Sequence, residues 1–307
     1  MKKLIHLALL FTISMLASCD YVSNPYPPKN ANLGDSASCP TPTFPTLTTH
    51  VKKILIEDYT GHICGNCPAA AIKLHEIDTT YPGQIIGVAV HPIGGGLADP
   101  TPGYNGSPST AFTADFRTTA GNEYDGVFGA GSFGLPEGMF NRKDFNATTQ
   151  THLKQLSNWS SYVAGIIGET SVVDLQLITD YDASTQKLCT SVRSSFLTNV
   201  SGTYNLVLLL TQDSIIDWQY ENTAGNIPNY VFNHMLRDAL TPSGAWGETI
   251  VTGSAVTGAT NTMRFAYTIP AQYNNIPCDV NQCHVVAFIY NTATYEIIQS
   301  EEADVIP

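Results

Sequence analysis

Cys64-Gly65-Asn66-Cys67 sets two thiols three residues apart. At that spacing both side chains fall on one side of a helical turn, where they can share a disulfide or attack the same incoming one. The run before them, Lys53-Ile54-Leu55-Ile56-Glu57-Asp58-Tyr59, reads as an apolar strand. The run after them, from Pro68, reads as a helix with Ala71, Leu74, Ile77 and Tyr81 at helical spacing, stopped by Tyr81-Pro82-Gly83. Cys64 is therefore expected at a helix N-terminus, where unpaired backbone N–H groups and the helix dipole favour a thiolate. Cys67, one turn further in, is placed to resolve a mixed disulfide.

The elements needed to hold such a pair follow in order. Gln84 to His91 is a nearly continuous apolar run, the pattern of a strand buried on both faces beside a parallel neighbour. With the helix it makes a right-handed crossover. Pro92 to Pro108 is a long Gly- and Pro-rich loop that leaves the same sheet edge as the cysteine turn, so it can roof the site. A helix is expected over about 110–121. Pro136 stands just before a short strand, Glu137-Gly138-Met139-Phe140, which suits a cis proline facing the cysteines. Asn146 is expected to cap a helix carrying Leu153, Leu156, Val163 and Ile167 on one stripe. From about residue 170 the period changes to two, as in Val173, Leu175 and Leu177 or Met263, Phe265, Tyr267 and Ile269, with turn residues between the runs. Many short strands with such turns predict a β-sandwich, with a boundary near Gly168.

The chain has 307 residues, a net charge of −12 and no basic patch, so binding to nucleic acid through its phosphates is not expected. Charged residues make up only 13% of it, which favours strands and loops over long charged helices and suits an exported protein. Lys2 and Lys3, the apolar run Leu4 to Leu16, and Leu16-Ala17-Ser18-Cys19 together read as a signal peptide ending in a lipobox. Acylation of Cys19 would tie the protein to the lipid bilayer. Residues 20 to about 48, rich in Pro, Asn, Ser and Thr, read as a flexible tether. Six further cysteines in an oxidising compartment suggest disulfides. Cys278 and Cys283 close a tight local loop and are the expected structural bridge, worth about 2 kcal/mol. Cys39 and Cys189 are open to pairing across the chain, although nothing local requires it.

The motifs Glu57-Asp58-Tyr59-Thr60-Gly61-His62-Ile63-Cys64-Gly65-Asn66-Cys67-Pro68 and Gly134-Leu135-Pro136-Glu137-Gly138-Met139-Phe140-Asn141-Arg142 resemble those of a Bacteroidetes lipoprotein family, the twenty-eight-kilodalton outer membrane protein family. The resemblance implies an α/β thioredoxin-like domain followed by an all-β, immunoglobulin-like sandwich, and lipid anchoring at the outer membrane on its periplasmic or cell-surface face. The expected divisions are a signal peptide at 1–18, a lipidated N-terminus and tether at 19–48, the thioredoxin-like domain at 49–168 and the sandwich at 169–307. Carried over residue by residue, Cys64 matches the attacking cysteine and Cys67 the resolving one. Asp58 matches the buried acid that handles the resolving thiol's proton, and Pro136 the cis proline that helps bind an extended substrate. Two departures bear on redox poise: Ile63 replaces an aromatic residue, and the inner dipeptide is Gly-Asn rather than Gly-Pro.

Two functions from different classes follow. One is thiol–disulfide exchange on envelope proteins, with Cys64 attacking and Cys67 resolving. The other is a non-catalytic interaction lipoprotein in an outer-membrane complex, with Cys64–Cys67 a structural disulfide and Asp58 a strand-end carboxylate. A zinc site built on His62, Cys64, Cys67 and His91 lacks the second ligand pair of a structural centre, so neither a metal nor a cofactor is expected.

Overall fold

The computed structural model describes residues 32–145 and 152–307. The expected signal peptide, the acylated Cys19 and the Asn146 cap lie outside the described residues. The fold is β-rich with few helices. Its strands used below are β1 (Ile54–Tyr59), β2 (Ile85–Val90), β3 (Glu137–Phe140), β4 (Val173–Asp182), β5 (Lys187–Phe196) and β6 (Tyr204–Gln212). They are followed by β7 (Ile215–Glu221), β8 (Gly225–Phe232), β9 (Met235–Ala239), β10 (Thr260–Thr268), β11 (Cys283–Asn291) and β12 (Ile297–Asp304). The helices that matter are α1 (Cys67–Thr80), α2 (Thr119–Phe128) and α3 (Trp159–Ile166).

One sheet runs through both halves of the chain in the order β12-β11-β6-β9-β2-β1-β3. β1 and β2 are parallel, as a crossover through α1 demands, while β3 returns antiparallel to β1. β9 then joins β2 at Met235 opposite Ala89, and the Ala89 N–H donates to His234 O at 2.7 Å. The boundary expected near Gly168 is thus bridged by backbone pairing. The core is shared in the same way. Leu55, Val88 and Met139 pack with Val207, Val286 and Phe288. Alternate residues of β6 and β11, Leu208, Leu210, Val285 and Ala287, face the other way, into a second core closed by the sheet β10-β5-β4. These two strands read as unbroken apolar runs because each side of the sheet is covered.

Several local expectations shift. The helix foreseen over 110–121 begins at Thr119, where Thr118 Oγ1 accepts the Gly121 N–H at 2.9 Å, and ends at the left-handed Gly129. Leu153 and Leu156 precede α3 rather than lying on it. From residue 32 onward the segment expected as tether lies against the body. Cys39 is disulfide-bonded to Cys189, 150 residues away, and Pro45 O accepts from Gln176 Nε2 at 2.8 Å. The bridge expected between Cys278 and Cys283 is not formed: both are free thiols, with the sulfurs 3.6 Å apart. The short helical turn Val280–Gln282 and a contact from Cys283 Sγ to Asp279 O at 3.2 Å hold them at that separation. Among the described residues no helix is long and apolar enough to cross a membrane.

Candidate functional site

β1 leaves the sheet at Tyr59, and the Thr60 N–H still donates to Val90 O at 2.9 Å, so the cysteine turn starts flush with the sheet edge. Cys64 N–H donates to Gly61 O and Cys67 N–H to Cys64 O, at 3.0 and 3.2 Å. These are two successive turns, and α1 begins only at Cys67 with Pro68 behind it. Cys64 therefore precedes the helix instead of opening it. The two sulfurs are bonded to one another, with Cα atoms 5.4 Å apart. The Leu135–Pro136 peptide is cis. Pairing of Tyr59 with Glu137 sets Pro136 level with the end of β1, on the side from which the cysteine turn departs.

Asp58 is buried at 3% exposure, and its Oδ1 has no partner. Burial pushes its pKa up to about 7. Asp58, Thr60, Cys67, Ala71, Gln219 and Tyr230 line a cavity of about 120 Å³. The cavity touches the second cysteine and the acid, and Cys64 is not part of its wall.

Both sulfur-bearing residues are only 2% exposed, and two segments cover them. The first is the glycine-rich loop, which does roof the turn. Ile63 N–H donates to Leu97 O at 3.2 Å, and a Cβ on Gly61 would lie 2.3 Å from the same carbonyl. The second is the hairpin β7–β8, which the sequence reading missed. Tyr220 N–H donates to His62 O at 2.8 Å, and Asn222 N–H to Gly65 O at 3.0 Å. Gln219 Nε2 donates to Cys64 O at 3.1 Å, and Asn222 Nδ2 to Asn66 Oδ1 at 2.7 Å. The hairpin thus pairs with the cysteine turn as an added strand would. A side chain at position 65 would collide with Asn222, whose Oδ1 lies 2.1 Å from the Cβ position, so Gly65 lets the hairpin approach. The sequence signal was the turn Asn222-Thr223-Ala224-Gly225 between two strand-like runs, but nothing local said where the hairpin would dock.

His62 and His91 sit in an apolar nest with Phe112, Phe116 and Phe232. His62 Nε2 contacts Asp99 O at 3.0 Å, while both His91 ring nitrogens lack partners. Burial holds His62 below its usual pKa and pushes His91 down to about 3, which disfavours the charged form of both rings. A further missed pair joins the two motifs. Arg142 Nε and Nη2 donate to both Glu57 oxygens at 2.8 and 2.7 Å, fully buried, with the guanidinium 4.2 Å from the Tyr124 ring centre. The acid of the first motif and the base of the second therefore hold β1 to the end of β3, and they act in the scaffold rather than on the sulfurs.

The sequence profile of a family described as outer membrane protein Omp28 matches residues 122–306, more than half of the chain, starting after the cysteine motif. No curated protein matches. Among solved structures, HBP35 of Porphyromonas gingivalis is similar with a TM-score of 0.57 at 13% identity, covering 84% of this chain and 76% of that one. That likeness concerns the fold alone. A domain of the outer membrane lipoprotein Omp28 from Porphyromonas gingivalis is 19% identical over 44% of this chain and 88% of its own, with a TM-score of 0.32.

Proposed function

Starting from a chain that belongs to the outer membrane protein Omp28 family, we propose that it is a lipid-anchored interaction protein of the outer membrane whose thioredoxin-like part is a scaffold. In this reading acylated Cys19 holds the protein to the bilayer and Cys64–Cys67 is a structural disulfide. The partner belongs to an outer-membrane protein complex. The observation that carries the reading is the sealing of both sulfurs beneath the roof loop and the hairpin β7–β8. Exchange needs a collinear approach of a third sulfur to one of the pair, and the hairpin fills the strand position from which an extended substrate would come. Insulin reduction and refolding of scrambled ribonuclease test it. The scaffold reading expects no turnover that depends on Cys64, so that Cys64→Ser leaves the wild-type rate unchanged; turnover abolished by that substitution overturns it.

A second reading rests on Asp58. A carboxyl whose pKa is raised to about 7, sharing a cavity with Cys67, is partly ionised near neutral pH, and its carboxylate form can take the proton of a resolving thiol. In this reading a dithiol reductant first opens the Cys64–Cys67 bond and the hairpin lifts. Cys64 thiolate attacks a substrate disulfide and expels one substrate thiolate, and Cys67 passes its proton to the Asp58 carboxylate, attacks Cys64 Sγ and displaces the second. Pro136 would border the incoming strand. The paired change Gln219→Ala with Asn222→Ala removes two side-chain anchors of the hairpin without touching the cysteines. Turnover that appears only in this variant favours the gated catalyst, and none in either protein favours the scaffold.

A further inference from the structure

Cys278 and Cys283 lie far along the chain from the sealed disulfide, on the loop that feeds β11. Asp279 shapes that loop: its Oδ1 accepts the Asn281 N–H at 3.1 Å and its carbonyl accepts the Gln282 N–H at 2.9 Å. The two sulfurs are held 3.6 Å apart. Closing that gap to about 2 Å would join two residues that flank a single short turn. The pair is unequal. Cys283 is 1% exposed at the start of β11, whereas Cys278 is half-buried and reaches the surface.

Beside them is a cation whose neighbours do not neutralise it. Arg237, on β9, is buried, and its Nη2 donates to Ile276 O at 3.0 Å. Its Nε has no partner, and its guanidinium stacks 5.0 Å from the centre of the Tyr273 ring. A buried guanidinium satisfied by one carbonyl and a ring still lacks an anion. The groups whose charge acts on it are Cys278, Tyr273 and Cys283; Asp279 and Tyr181 interact with the thiols, and the Asp238 carboxylate accepts the Tyr267 hydroxyl. A Cys278 thiolate supplies the missing charge.

We propose that Cys278 and Cys283 form a second thiol–disulfide site, separate from Cys64–Cys67, in which Cys278 takes the incoming disulfide, Cys283 resolves it and Arg237 positions and stabilises the Cys278 thiolate. Cys278 sulfur attacks one sulfur of a substrate R–S–S–R; the Cys278–S–S–R bond forms, and the first RS⁻ leaves and takes a proton from water. Cys283 attacks Cys278 Sγ as its proton passes to the departing sulfur; the intrachain bond forms, and the second substrate half leaves as RSH. Two protein thiols are oxidised and one disulfide is reduced to two thiols. The hydrogen bond between the sulfurs, then Arg237, hold the Cys278 thiol below the ordinary thiol range, while the same contact and burial push Cys283 up. That is the division of labour between an entering and a resolving thiol. The substrate class is a disulfide small or extended enough to reach a surface loop.

The test uses the full folded chain with oxidised glutathione as probe, followed by alkylation of remaining thiols and peptide mass mapping. Wild type is expected to close Cys278–Cys283 and release two glutathione thiols per chain. Cys283→Ser is expected to trap a glutathione adduct on Cys278, and Cys278→Ser to leave Cys283 unmodified. Arg237→Met is expected to slow reaction of Cys278 about tenfold at neutral pH and move its pH midpoint up by about one unit, with Arg237→Lys restoring it. If Arg237→Met does not fold, the two cysteine variants decide alone. If the pair is isolated already closed, it is expected to open in mild thiol buffer while Cys64–Cys67 stays shut. Equal reactivity of the two single-cysteine variants overturns the proposal, as does a wild-type adduct that never resolves. So does a closed pair that opens only on unfolding, or an unmoved pH midpoint in a folded Arg237→Met.

Discussion

Replacing Asp58 by Asn isolates what a buried acid costs this fold. The carboxyl is almost wholly buried, its Oδ1 lacks a partner, and burial takes its pKa from 3.8 to about 7. An acid with a raised folded pKa keeps its proton longer in the folded state than in the unfolded one. Stability is therefore lost as pH rises from about 4 to about 7, and it stays at the lower level above that. Some three pH units at about 1.4 kcal/mol each give about 4 kcal/mol. Asn has nearly the same shape and does not titrate. Asp58→Asn is expected to match wild type at pH 4 and to exceed its unfolding free energy by about 4 kcal/mol at pH 8. Denaturant unfolding with the disulfides intact, followed by tryptophan fluorescence at steps from pH 4 to 8, measures this directly. Glu137 and Glu302, also pushed up to about 7 by burial, titrate in both proteins and drop out of the difference. A difference that is flat across this range, or that shrinks as pH rises, refutes the burial argument.

Three other outcomes can be checked in the same assay. Arg142→Met strands the Glu57 carboxylate and is expected to cost about 3–5 kcal/mol, most of it recovered in the double variant with Glu57→Met. Loss of the Cys39–Cys189 bond in a double Ser variant releases a loop of 150 residues and is expected to cost about 2–5 kcal/mol. His91, held at about 3 by burial, must stay neutral in the folded state, so its contribution is lost as pH falls below 6.5. The unfolding free energy of His91→Phe relative to wild type is then expected to rise by about 1.4 kcal/mol per pH unit between pH 6 and 4, and a constant difference contradicts it.

What the sequence disclosed was local. β1, α1 and β2 are legible because an apolar run, a proline in the first helical turn and a Pro-Gly stop all act within a few residues. Pro136 ahead of a four-residue strand was readable for the same reason, and so was the roof loop, whose glycines and prolines disfavour a regular helix or strand. The misses are contacts across long stretches of chain. Nothing near Tyr220 or Asn222 says that their N–H groups pair with residues 62 and 65. Glu57 and Arg142 lay in view in the two motifs, but a buried bidentate pair looks in sequence like two ordinary surface charges. The change from helical to alternating periodicity near residue 170 suggested a boundary. Periodicity reports which face of a strand is buried, not which strand lies beside it, so β9 joining β2 was invisible.

That seam between β2 and β9 governs how the protein must be handled before it is finished. Ile85-Ile86-Gly87-Val88-Ala89-Val90 carries no charge and no proline, and its pairing with β9, Ala89 opposite Met235, waits until Met235 has been synthesised. Until then that edge is unpaired and open to the same segment of a neighbouring chain. A fragment ending short of Met235 is therefore expected to self-associate through β2 in a concentration-dependent way, whatever the stability of the completed molecule.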